Sequence, residues 1–194
     1  MRLVLYYPDM KHSDDLKALM QGDKERQRLL LLVHSLGLVD CWIAAGFVRN
    51  AVWDFLHRRS PQRPSGDVDV IWFDRSQDSK CIDLRLEDRL KRLDDSIEWS
   101  LKNQSRMHAG NGDPPYRSAL DAKRFWPETA TAVAVRYVDR GVLEIAAPFG
   151  LDDLYGAVVR PTPHFLGEKR ALFAERVRRK RWLEQWPSLR IEPG

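Results

Sequence analysis

Between Asp67 and Phe73 the chain reads Asp-Val-Asp-Val-Ile-Trp-Phe, and no other stretch limits its possible folds so tightly. Alternating acid and apolar residues pass into a continuous apolar run, which predicts a strand entering a core with both carboxylates on one face. Strand rise separates the two acids by about 7 Å, so they repel unless a cation or hydrogen-bond donors intervene. Upstream, Cys41-Trp42-Ile43-Ala44 predicts a short buried strand that delivers Ala45-Gly46 to a turn. Val48, Val52, Phe55 and Leu56 then fall at i, i+4, i+7 and i+8, one face of a helix that starts near Gly46.

A divalent cation relieves paired carboxylates, and oxygen-only ligands suit Mg²⁺, which commonly binds one or two carboxylates plus substrate phosphates. Asp67 and Asp69 are therefore candidate metal ligands. The turn supplies a second half: without a side chain at Gly46, backbone N–H groups at the helix start can approach a phosphate, and Arg49 can add a charge-assisted contact. Together these residues describe a nucleoside triphosphate site. Standing alone, Asp-x-Asp would read instead as a helix cap or a surface ion pair.

The other elements follow from local signals. Ser13-Asp14-Asp15 starts a short helix that Gly22 stops, and Asp23 caps a longer one whose run Leu29 to Val33 is apolar all round. His34 within it reads as a core or edge histidine. The loop His57 to Gly66 holds three arginines and two prolines, a solvated connector or a basic arm over phosphate. Ile82, Leu86, Leu90 and Leu93 mark a further helix, and Ile97, Trp99 and Leu101 alternate with polar residues as a strand, completing a β-α-β-α-β order. The polar cluster leaving that strand reads either as a helix start bonded to its own backbone or as a contact for base, ribose or acceptor. Thr131 to Tyr137 and Val142 to Ala146 predict a hairpin across Val138 to Gly141, in which Glu144, flanked by apolar residues, needs a metal, a cation or the surface. Residues 168–186 predict one basic helix, solvated on its charged side or bound to an RNA backbone. The first ten residues fit a short strand or an ordered tail equally well.

At 194 residues, 43% apolar and 31% charged, the chain is expected to form one domain, residues 1–194, with a core over about 29–160 and a helical tail over 161–194. No apolar run approaches membrane-spanning length and the opening segment does not read as a signal peptide, so a cytoplasmic protein is expected. Cys41 and Cys81 lack metal or redox spacing, which predicts free thiols and no disulfide. A net charge of +4 is compatible with a phosphate-rich substrate without requiring one.

Small-Gly-x-Val-Arg-Asn, a helix and then Asp-x-Asp on a strand resembles the nucleotidyltransferase superfamily, and in particular bacterial nucleotidyltransferase family proteins of largely unassigned substrate. The resemblance extends through Lys102-Asn103-Gln104-Ser105-Arg106-Met107-His108 and Ala147-Pro148-Phe149-Gly150-Leu151-Asp152-Asp153-Leu154, covering roughly residues 29–189. A more distant similarity is to the head domain of tRNA CCA-adding enzymes and poly(A) polymerases, which read Gly-Gly-x-Val-Arg-Asp. Here Ala45 replaces the first glycine, Asn50 replaces the aspartate, and 20 residues separate Gly46 from Asp67. The resemblance implies an α+β fold with an α/β-type core, a small mixed sheet flanked by helices. It implies Mg²⁺-dependent transfer of a nucleoside monophosphate from an NTP to a hydroxyl acceptor (small molecule, protein or RNA), releasing pyrophosphate. In that scheme Asp67 and Asp69 bind metal, with Glu144, or alternatively Glu98, as third acid. Gly46, Arg49 and Asn50 bind nucleotide, and Lys102, Asn103, Arg106 and His108 contact substrate. The departures motivate an alternative, a non-catalytic nucleotide- or RNA-binding protein that retains the fold.

Overall fold

The computed structural model describes residues 11–60, 62–64, 66–138, 141–192 and 194. The expectation for the first ten residues, and part of the hairpin loop, lies outside these. Helices α1 (Ser13–Gly22) and α2 (Lys24–His34) come first, and Asp23 caps α2 by accepting from the Arg26 N–H at 3.0 Å. Strand β1 (Cys41–Ala44) leads directly into α3 (Gly46–Leu56), and β2 (Val68–Trp72) holds the second aspartate of the pair. Helix α4 (Lys80–Leu93) returns the chain to β3 (Trp99–Asn103), which runs parallel to β2 as a helical crossover requires.

Short helices α5 (Met107–Asn111) and α6 (Ala119–Ala122) precede the hairpin of β4 (Ala134–Val138) and β5 (Val142–Ala146). The five strands form one mixed sheet in the order β3-β2-β1-β4-β5, with β1 antiparallel to both neighbours. This is the expected α+β architecture. After α7 (Asp152–Tyr155), β6 (Val158–Val159) pairs in parallel with β7 (Arg190–Ile191), a two-stranded clip with no strong periodic signal in the sequence.

Period-2 burial assigns the sheet faces. Ile43, Val68, Val70, Leu101, Val135 and Ile145 pack into the main core with Leu29, Leu30, Val48 and Val52 from the helices. Trp42, Ala44, Ile71, Ala134 and Ala146 lie on the opposite face, in a smaller core with Ala119 of α6. Asp69, between Val70 and Val68, belongs to that second face.

The basic tail departs from the single predicted helix. Helix α8 (Arg170–Lys180) stops at Arg181, whose φ of 49° is left-handed, and α9 (Trp182–Gln185) follows on a new axis. Tryptophan burial explains the break. Trp182 and Trp186 both meet the fully buried Trp53 of α3 edge-on, with ring centroids 5.6 and 5.2 Å away, and the Trp186 indole donates to Asp54 at 2.8 Å. A straight continuation of α8 cannot bring both rings onto α3. Cys41 is buried, Cys81 is exposed and both are free. Among the described residues no helix is long and apolar enough to cross a membrane.

Candidate functional site

Antiparallel pairing of β1 with β2 sets Ala44 opposite Asp69, one step beyond the Ile43–Val70 pair, so the turn after β1 lies beside the aspartates. At that turn Ala45 has φ 54° and ψ −121°, and its N–H donates to the Val133 carbonyl at 3.0 Å. A positive φ costs an alanine about 1–2 kcal/mol because Cβ crowds the carbonyl oxygen. Here the sequence has alanine where the backbone is shaped for glycine. Ala45→Gly should therefore raise stability by about 0.5–1 kcal/mol, the relief of strain exceeding the added entropy of the unfolded chain. Thermal unfolding checks this, with a midpoint shift of about 2 °C expected.

The Gly46 and Phe47 N–H groups, first in α3, make no hydrogen bond among the described residues. A Cβ at Gly46 would stand 3.5 Å from the Asn50 amide nitrogen and 3.6 Å from Arg49 Nη2. Orphan amides, a helix N-terminus and these two side chains thus converge on one notch, as a phosphate requires. Asn50 accepts from Arg49 at 2.9 Å, and Arg49 also donates to Thr131 Oγ1 at 2.9 Å. The Arg49 guanidinium lies over the rings of both Trp53 (5.0 Å) and Trp182 (4.6 Å). Burial draws its pKa down to about 10, opposed chiefly by the charge of Glu128.

Asp67 is exposed and Asp69 partly buried on the same strand face. Burial, and then repulsion from Asp67, pushes the Asp69 carboxyl up to about 6, while Lys180, Arg176 and Arg49 act against the rise. The donor set fits Mg²⁺ of the kind that borrows ligands from a nucleotide: two carboxylates, no sulfur or imidazole, and one carboxylate whose ionised form needs a cation. It does not amount to a closed protein cage, since no group of three metal-binding side chains occurs among the described residues.

The remaining predicted residues separate. Glu144 is not brought to the aspartates. It lies on β5, three strands from β2 and so about 14 Å away across the sheet, and it pairs with Arg136 of β4 at 2.7 Å. Its need for a cation is met locally. Glu98 is exposed and directly precedes β3; its carbonyl accepts from Val68 N–H at 2.8 Å, which makes it the ladder neighbour of Asp67.

The polar cluster sits at the other end of the parallel pair, where Lys102 and Asn103 oppose Ile71 and Trp72. Lys102 meets Glu87 at 3.5 Å, and Arg106 pairs with the buried Asp83, which also accepts from Trp72 Nε1 at 2.9 Å. Fully buried Asn103 donates to the carbonyls of Asp74 and Gln77, at 2.8 and 2.7 Å. His108 packs edge-on to Tyr116, its ring centroid 5.9 Å away. Asn103 ties the β2–α4 loop to β3, Lys102 and Arg106 tie α4 to the same end of the sheet, and none of the four residues flanks the aspartates.

Two residues that the sequence did not single out complete the site. Arg26, 1% exposed, joins Asp23 to the carbonyls of Phe47 at 3.0 Å and Gln62 at 2.9 Å, holding the turn and the loop before Asp67 in one clasp. Glu128 is fully buried, and its Oε1 accepts from Arg176 of α8 at 2.7 Å. No local signal finds either one, because Arg26 looks like a solvated helix residue and Glu128 like a loop acid.

The family model described as nucleotidyltransferase matches residues 32–191. The chain belongs to the nucleotidyltransferase family. Among solved structures, one described as revealing a CCA-adding enzyme head domain is 35% identical, with a TM-score of 0.83 over 93% of this chain and 95% of that one. A CCA-adding enzyme in complex with CTP is 15% identical, with a TM-score of 0.56 over 91% of this chain. The Thermotoga maritima CCA-adding enzyme complexed with tRNA is 16% identical, with a TM-score of 0.55. At those identities the likeness is one of fold, and this nucleotidyltransferase covers only 43% and 42% of the two longer enzymes. No curated protein matches the chain.

Proposed function

We propose that this nucleotidyltransferase moves a nucleoside monophosphate from an NTP to a hydroxyl acceptor in an Mg²⁺-dependent reaction that releases pyrophosphate. The observation that carries the proposal is the register setting Asp69 opposite Ala44, which puts the acidic pair beside the Gly46 notch. Asp67 and Asp69 would hold the metal. Bound there, it would neutralise charge developing on the phosphoryl oxygens and lower the pKa of the acceptor hydroxyl.

The chain's own residues do the rest. Gly46 and Phe47 N–H groups bind phosphate oxygens through the dipole and orphan donors of α3, and Arg49 backs them with a positive charge that its two indole partners keep dry. The acceptor oxygen attacks the α-phosphorus, its proton passes to a base or solvent, and the bond to the pyrophosphate leaving group breaks. Asp69, beside the Gly46 notch, would orient the incoming hydroxyl.

Incubation with NTPs labelled at the α-phosphate, Mg²⁺ and a pool of small molecules, proteins and RNAs tests the proposal. Label should move to an acceptor only with Mg²⁺ and leave stoichiometric pyrophosphate. Binding of NTP without transfer under any acceptor would instead assign a non-catalytic nucleotide-binding protein.

A further inference from the structure

The tail helix α8 is basic, and a basic amphipathic helix ordinarily turns its cations to water. Here one of them occupies the inward stripe. Phe173, Arg176 and Val177 fall at i, i+3 and i+4; Phe173 is buried and Val177 packs against the core. Arg178, Arg179 and Lys180 are exposed.

Arg176 is held by an unusual partner. Glu128 has no exposed surface, gives one oxygen to Arg176 and leaves Oε2 without a hydrogen bond. Arg49 Nε is likewise buried and unpaired, and Glu128 is the strongest charge that Arg49 feels. The buried carboxylate thus holds Arg176 from the tail, and the Trp182 ring lies against both Arg176, at 5.9 Å, and Arg49 of the Gly46 notch, at 4.6 Å. Such a carboxylate is expensive to desolvate unless it fixes charges needed nearby.

Arg176 pairs with Glu128, while Arg49 bonds to Thr131 and Asn50 and has no carboxylate partner among the described residues, so the two guanidiniums together leave one positive charge for a polyphosphate. Resting on the nucleotidyltransferase reading above, we propose that Arg176 is a polyphosphate-binding residue of this site, and that Glu128 is the positioning residue which aims Arg176. The tail thereby joins the catalytic site, and the ligand it selects is a triphosphate in preference to a monophosphate.

Calorimetry with Mg²⁺ and inorganic tripolyphosphate isolates the phosphate contacts from any base pocket, and ATP and AMP complete the series. Arg176→Ala should weaken tripolyphosphate and ATP by about tenfold or more while leaving AMP within about twofold. Arg179→Ala, on the outer side, should change none of them. Glu128→Gln should weaken tripolyphosphate several-fold and AMP little; unfolding midpoints follow each variant, and Arg176→Lys guards against an Arg176→Ala that fails to fold, with partial recovery expected.

Equal losses in Arg176→Ala and Arg179→Ala would overturn the proposal in favour of general charge attraction. Parallel losses of AMP and tripolyphosphate in Glu128→Gln would reduce Glu128 to a structural acid and overturn its positioning role. Wild-type protein that binds tripolyphosphate while Arg176→Ala binds it equally well refutes the α8 contact alone. Wild-type protein that binds neither tripolyphosphate nor ATP with Mg²⁺ refutes the nucleotide site and the α8 contact together.

Discussion

Asp69→Asn is expected to lower nucleotidyl transfer by about 10³-fold and, at the same time, to make the metal-free protein more stable. The loss follows from removing one of the two strand carboxylates set beside the Gly46 notch. The gain follows from the same geometry, since Asp69 is partly buried beside Asp67 and its carboxyl is pushed up to about 6. In the unfolded chain the group titrates near 4, so between about pH 4 and 6 the folded state holds a proton that the unfolded state releases. Stability therefore falls as pH rises through that window, and above it the whole penalty is present. Asparagine removes the penalty, and after allowance for the partial exposure of Asp69 the gain at pH 7 is about 1 kcal/mol.

Two measurements check the result. Unfolding midpoints of wild type and Asp69→Asn should coincide near pH 4 and diverge in favour of the variant by pH 7. Mg²⁺ binding to the wild type should weaken below about pH 6, because the metal must displace a proton. A variant that keeps wild-type turnover, or a wild-type stability flat from pH 4 to 7, removes Asp69 from the role given to it.

Trp53→Ala is expected to cost about 3–5 kcal/mol, the largest single effect on folding among the substitutions considered. Trp53 is fully buried, meets Trp182 and Trp186 edge-on and lies under the Arg49 guanidinium. Its removal empties the joint between α3 and the tail and takes away one of the two aromatic faces that confine Arg49. A midpoint drop of about 10 °C is expected for a chain of this size, together with weaker triphosphate binding. Trp53→Phe should be milder: it keeps most of the packing and removes an indole N–H that has no hydrogen-bond partner. Proteolysis at the tail under native conditions, fast in Trp53→Ala and slow in wild type, locates the damage. An unchanged midpoint in Trp53→Ala would show that the tail does not depend on this joint.

Much of the frame was legible because its signals are local. Capping by Asp23, apolar spacing in α3 and α4, and period-2 alternation in β2 and β3 each depend on residues within about a turn or a strand length of one another. The helix start at Gly46 and the strand carrying Asp69 were legible for the same reason, and the α+β class followed from the resemblance. Strand order was not. Glu144 was a reasonable third acid while β5 could be imagined next to β2, yet β1 and β4 stand between them, and Arg136 satisfies the charge. The cluster from Lys102 to His108 misled similarly, because in parallel β2 and β3 it leaves the sheet at the end opposite Asp67.

Sequence alone determined the helix start at Gly46 and the acidic strand β2 that hold the candidate site residues, since a glycine turn and an alternating acidic strand are properties of neighbouring residues. The tertiary structure decided what accompanies them. Arg26 became a clasp, Glu128 a buried counterion and Arg176 an inward cation only when segments 36 and 48 residues apart in the chain were folded against one another. Burial and ion pairing depend on such nonlocal contacts, and the same acid or arginine is solvated, structural or functional according to what packs against it.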